Sequence, residues 1–501
     1  MTRSLLAAML LSMVVALVLP AAGGARAAIP TVLLPVASSP LVTLRVQFRA
    51  GAANDPAGKQ GLTRLTAMMM ARGGTRTLSY EQITERLYPM AAGIDVTVDK
   101  ELTTFVGTTH IENLDAYLEL FMQVLLEPGF VSADFERLRE NQSNYLTSSL
   151  RGSNDEELGK ESLNTMIYEG HPYGTPDEGT VASVASITLE DVRTHCARVF
   201  TRSNVTVGLA GGYPAALPDR VTRALEKLPE AKALEPAYKL TAPEGIEVLA
   251  VEKDCLATAI SIGYAIDVTR ASPDFYALLV ANSHLGEHRT FNGRLMNRMR
   301  EVRGLNYGDY SYIEHFVQDG GSTFPLTNHA RTQQYFSIWI RPVQHAQRHF
   351  ALRLAMWELE RLVRNGMTQE EFETTRTFLK SYSKLWAQNQ SQRLGYAMDS
   401  RFYGTDDYLS TLPARLDALT LEQVNAAVKK HLRYDRLHIA VVTRGADEFL
   451  TALIENTASP ITYDAGSMPD DVLAEDKLVS VYKLTINRAA SRIVDVEQMF
   501  K

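Results

Sequence analysis

Gly61-Leu62-Thr63-Arg64-Leu65-Thr66-Ala67-Met68-Met69-Met70 is the stretch whose reading decides the fold. It follows an alternating run, Leu41 to Phe48, in which Thr43, Arg45 and Gln47 face one way and Val42, Leu44, Val46 and Phe48 the other, the period of a strand. The loop Ala50-Gly51-Ala52-Ala53-Asn54-Asp55-Pro56 joins the two. At about 100° per residue, Arg64, Ala67 and Met68 share one helix face, while Leu62, Leu65 and Met69 line the opposite one. Taken alone, this is an amphipathic helix with a Met-rich face packed into a core.

The same order of elements recurs further on. Asp134-Phe135-Glu136-Arg137 opens a helix, Ile187-Thr188-Leu189-Glu190-Asp191-Val192 another, and Asn204 to Gly211 reads as a strand. Glu371-Phe372-Glu373-Thr374, Leu419-Thr420-Leu421-Glu422-Gln423-Val424 and the strand-like Leu437 to Val442 repeat that series. Thr188 and Thr420 each precede Leu-Glu, the pattern of a helix N-cap followed by an acid in the first turn. Matching order and spacing predict an internal duplication. A chain of 501 residues exceeds one core in any case. The expected fold is α+β: two homologous domains, each a mostly antiparallel sheet packed with helices, forming a clam-like pair. The expected boundaries are 28–230 and 247–450, with a Pro-bounded, charged linker at 231–246 and a C-terminal extension at 451–501.

Residues 1–27 read as a secretory signal: Arg3, an apolar run from Leu5 to Val18, and Ala25-Arg26-Ala27 before Ala28. Its removal leaves 49 basic against 58 acidic groups, and no second transmembrane candidate follows. An acidic, exported protein without a basic patch argues against nucleic acid as a partner. With only Cys196 and Cys255, disulfides cannot be the main scaffold. One bridge and two unpaired thiols both fit the sequence.

Over nearly the whole mature length, the chain resembles the pitrilysin/insulinase-type zinc peptidases, the inverzincins. Further points of likeness are Phe135-Glu136-Arg137, His171-Pro172-Tyr173-Gly174 with Gly179-Thr180, and Gly211-Gly212. In that family, His-x-x-Glu-His on the first long helix supplies two zinc ligands and a general base. The matching positions here are Arg64, Ala67 and Met68. Arginine has no lone pair to give, alanine no base, and a thioether is a poor zinc ligand. The family's third ligand, a Glu, maps near Ser143, between Gln142 and Asn144. The resemblance makes His171 part of a loop rather than a ligand.

The family also carries an Arg and a Tyr that do not bind metal. Leu295-Met296-Asn297-Arg298-Met299-Arg300-Glu301-Val302-Arg303-Gly304-Leu305-Asn306-Tyr307 matches that pattern, and the seven-residue spacing to Tyr307 selects Arg300 over Arg303. Leu295, Met299 and Val302 fall on one helical face, Gly304 suits a left-handed C-cap, and Leu305 onward reads as a strand. The resemblance implies substrate and oxyanion binding by Arg300 and Tyr307, with zinc expected in a partner subunit and no cofactor in this chain. It implies a periplasmic or otherwise exported, catalytically incomplete member of a two-subunit enzyme acting on peptides. One rival reading is an autonomous zinc peptidase built on His284-Leu285-Gly286-Glu287-His288, with Glu370, Glu371 or Glu373 as third ligand. That motif needs continuous helix, and Gly286 suggests a helix end. The other rival is a structural or peptide-binding homologue without catalysis.

Overall fold

The computed structural model describes residues 28–231, 240–318, 323–463 and 468–501. The signal reading at 1–27 and residues 232–239 of the expected linker lie outside the described residues. The first half builds a five-stranded sheet from β1 (Thr31–Pro35), β2 (Leu41–Phe48), β3 (Asp95–Val98), β4 (Thr103–His110) and β5 (Val205–Gly211), in the order β1-β5-β2-β4-β3. The second half builds a six-stranded sheet from β6 (Ile246–Glu252), β7 (Thr258–Ile266), β8 (Asp309–Tyr312), β9 (Gln334–Val343), β10 (Leu437–Thr443) and β11 (Arg492–Asp495), in the order β11-β6-β10-β7-β9-β8. β1 with β5, and β6 with both β10 and β11, pair parallel; every other pair is antiparallel. The expected α+β pair of domains is what forms.

Local chemistry explains the repeated helices. Thr188 accepts from Asp191 N at the head of helix Leu189–Val199, and Thr420 accepts from Gln423 N at the head of Leu421–His431, each in a capping box. β2 is central, so Val42, Leu44, Val46 and Phe48 enter the first core. Its polar face does not meet solvent. Gln390 Nε2 of the second half donates to Thr43 Oγ1 at 3.1 Å, and Arg45 Nη2 donates to the carbonyl of Ser391, also of the second half, at 2.9 Å.

Those contacts belong to a reciprocal exchange. Helix Gln390–Tyr403 of the second half lays Leu394 and Met398 on Ala210, Val32 and Leu34 of the first sheet. Helix Asp155–Ile167 of the first half lays Leu158, Leu163 and Met166 on Leu249, Val251, Ala259, Ala440 and Val442 of the second. The C-terminal segment read as an extension completes the second sheet through β11, and it buries Met499 and Phe500 beside the exchanged helix. Cys196 and Cys255 are both free thiols. Cys196 Sγ lies 3.8 Å from Met70 Sδ, and burial pushes its pKa up to about 12.

Candidate functional site

Helix Leu62–Arg72 starts after Gly61, whose φ of 89° is left-handed. Asp55 caps it from the preceding loop, accepting from Gly61 N, Thr63 N and Thr63 Oγ1 at 2.7, 2.7 and 2.6 Å. Burial raises the Asp55 carboxyl to about 7, against the pull of those hydrogen bonds. On the face where the family places metal, Arg64 Nε lies 3.1 Å from Glu178 Oε1. Ala67 is fully buried in the core. Met68 packs at the edge of a cluster with Leu65, Phe135 and Ile187. Ser143 is half-buried, and beside it Gln142 donates to the Gly61 and Glu178 carbonyls at 2.9 and 2.8 Å. A guanidinium paired with the carboxylate, an alanine and a packed thioether do not fit zinc.

His171 is a capping residue. Its Nδ1 accepts from Tyr173 N at 3.1 Å in the turn Pro172–Gly174.

Arg300 and Tyr307 do come together. The segment Met296–Glu301 is wound as a π-helix rather than the expected α-helix, with Val302 N bonded to Asn297 O at 2.9 Å. Gly304, φ 63°, ends it as expected; its N–H reaches Arg300 O at 2.8 Å and that of Leu305 reaches Met299 O at 3.1 Å. The strand begins only at Asp309, not at Leu305, because Asn306 turns the chain first. Asn306 Nδ2 donates to Asp309 Oδ1 at 2.8 Å and to Arg341 O at 2.9 Å, and Asn306 Oδ1 accepts from Gly308 N at 3.1 Å. That turn projects Tyr307 outward, 77 % exposed. The Arg300 guanidinium lies 5.8 Å from the Tyr307 ring centroid and 5.4 Å from that of Phe291, itself 62 % exposed. Two large exposed rings thus flank one cation at the surface. Arg303 is committed elsewhere: it pairs with Asp476 at 2.8 Å and Glu475 at 2.6 Å on helix Asp470–Val479. Phe291 and Asn306 were missed in the sequence, although Asn306-Tyr307-Gly308 is a recognisable Asx-turn spelling.

The literal motif at 284–288 splits. Helix Phe275–Gly286 stops there, and Glu287 turns to ψ 144°. His284 faces an open cleft with Glu370 and Glu371, its Nε2 3.8 Å from Glu371 Oε1. Glu371 also accepts from Thr368 N as a helix cap, and Glu373 pairs with Arg376. Glu287 and His288 instead line an enclosed cavity. Glu287 accepts from Ser283 Oγ at 2.6 Å, and burial raises its carboxyl to about 7. His288 Nδ1 lies 2.6 Å from Tyr312 Oη.

Two homologous sheet domains, the first with a peptidase-like helix that lacks metal donors, define a peptidase homologue of the inactive type. The chain belongs to the insulinase (M16) peptidase family: residues 31–180 match the description "Insulinase (Peptidase family M16)" and residues 186–379 match "Peptidase M16 inactive domain". It is 23% identical over 407 residues to a protein of Helicobacter pylori called non-peptidase homolog YmxG, covering 81% of this chain and 89% of that one. It is 22% identical over 395 residues to a Bacillus subtilis protein called uncharacterized zinc protease YmxG, covering 78% and 90%. Its fold is similar to the crystal structure of a peptidase M16 inactive domain from Pseudomonas fluorescens, with TM-score 0.73, 22% identity, and 83% and 96% of the two chains covered. A protease structure from Helicobacter pylori aligns with TM-score 0.69 and 17% identity, over 82% and 96%.

Proposed function

We propose that this chain is the catalytically incomplete subunit of an exported, periplasmic zinc peptidase, lending Arg300 and Tyr307 to a site whose zinc and base sit on a homologous partner. The observation that carries the reading is a contrast: Arg64, where the resemblance expects a zinc ligand, pairs with Glu178, while Arg300 and Tyr307 stand together at the surface. Neither Arg300 nor Tyr307 is buried. A phenol O–H there can donate to a peptide carbonyl as it becomes an oxyanion, and the guanidinium can hold the neighbouring carbonyl. Splitting the site lets these donors close from one wall onto a peptide already seated on the other. The substrates on this reading are extended peptides bound through their main chain, with little sequence demand. Among the described residues no helix is long and apolar enough to cross a membrane.

The test is turnover by this chain co-purified with a homologue that carries an intact His-x-x-Glu-His. Tyr307→Phe lowers kcat about a hundredfold, and Arg300→Ala lowers kcat/KM at least as much. Unchanged turnover in both variants favours the second reading, a peptide-binding or structural role, to which the name of the Helicobacter relative points. Peptide cleavage by the isolated chain, lost in His288→Ala, refutes both.

A further inference from the structure

The two halves meet at a second constellation, which uses none of the residues discussed for catalysis. Asp99 directly follows β3 in the first half, and His315 and His329 lie within the connection from β8 to β9 in the second. Asp99 Oδ2 lies 3.2 Å from His315 Nε2 and 2.9 Å from His329 Nδ1. The three candidate ligand atoms lie within 4.8 Å of one another. We propose that Asp99, His315 and His329 bind a divalent transition-metal ion of the zinc, cobalt or nickel kind, bridging the two halves of the molecule.

The donor set is right for such an ion: two imidazoles and one carboxylate. A tetrahedral ion with bonds of about 2.0–2.1 Å spaces its ligand atoms by about 3.3 Å, close to both distances at Oδ2. The surroundings are arranged as outer contacts of a metal site. Tyr335 Oη is 3.2 Å from His315 Nδ1 and can take its N–H, leaving Nε2 to coordinate. Asp99 Oδ1 accepts from Lys100 N and Arg331 Nε, each at 2.6 Å, which fixes the carboxylate and turns Oδ2 toward the imidazoles. Arg331 Nη2 also reaches Oδ2, at 3.1 Å. Its charge weakens the carboxylate as a donor, so the site disfavours calcium and magnesium, which need several anionic oxygens. An ion that takes most of its bonding from nitrogen is less affected. Both histidines line the enclosed cavity of about 70 Å³ that Glu287 and His288 also border, a volume large enough to hold water. Coordination uses the ring nitrogen of each histidine that faces Asp99 in its unprotonated form, with the N–H on the far nitrogen.

This inference does not depend on a partner subunit. The experiment titrates the purified, chelator-stripped protein with Co²⁺, then with Zn²⁺. The expected result is one equivalent of Co²⁺ with visible absorption bands of a nitrogen/oxygen site, displaced by Zn²⁺, and a Zn²⁺-dependent rise in the thermal midpoint. His329→Ala, at a part-exposed position and checked for native circular dichroism, weakens binding at least about tenfold and abolishes the rise. His288→Ala leaves both intact. Absence of binding, equal binding by His329→Ala, or loss of binding in His288→Ala overturns the proposal.

Discussion

At Arg64 a side chain without a lone pair stands where the resemblance expects a zinc ligand, and it pairs with the largely buried Glu178. Burial holds the Glu178 carboxyl above its usual range, and Arg64 is the largest opposing influence. Removing the guanidinium in Arg64→Ala strands that carboxylate, and the loss is expected at about 1–2 kcal/mol, since Arg64 is one-third exposed. The sign with pH follows from the raised folded-state value. An acid that binds its proton more tightly when folded is relieved as pH falls, so the deficit of Arg64→Ala shrinks from pH 8 toward pH 5. Urea denaturation at the two pH values checks this; a deficit that grows on acidification contradicts the pairing. This residue was legible in the sequence, because an absent lone pair is a property of the amino acid alone. Phe291 was not, because its approach to Arg300 depends on how the loop after Gly286 returns.

The exchanged helices differ in how closely they seat. On helix Gln390–Tyr403, a Cβ at Gly395 would lie 1.9 Å from Thr327 Oγ1 and 2.8 Å from Arg45 Nη1. On helix Asp155–Ile167, a Cβ at Gly159 would meet Ser261 Oγ at 3.4 Å and Val442 Cγ2 at 3.8 Å, ordinary contact. Gly395→Ala is therefore expected to cost about 1–3 kcal/mol through forced displacement. Gly159→Ala is expected to be neutral or to stabilise by up to about 1 kcal/mol through helix propensity. Thermal or urea unfolding of the two variants decides; equal effects would mean the two helices seat alike. Caps, strands and the Gly304 stop could be read from sequence since they are settled within a few residues. The π-turns at Met296–Glu301 could not, because the apolar spacing there suits an α-helix equally well.

Across the whole molecule, Arg331 and Asp99 tie one half to the other. Arg331 is fully buried, with Nε 2.6 Å from Asp99 Oδ1. The Arg331 guanidinium and the two histidines hold the Asp99 carboxyl well below the usual carboxylate range despite its burial. Arg331→Leu leaves that charge with fewer donors and is expected to cost about 3 kcal/mol in chemical denaturation, with strong coupling to Asp99→Asn in a double-mutant cycle. Additive effects of the two substitutions would separate them. The duplication, the α+β class and the missing zinc donors were all determined by the sequence alone, since periodicity, caps and side-chain chemistry act over a few positions. Tertiary structure decided which helix covers which sheet, that residues 492–495 finish the second sheet, and that Asp99 meets His315, His329 and Arg331. Those meetings depend on chain segments brought together only when the two cores close on each other, and no local pattern encodes the partner of a residue hundreds of positions away.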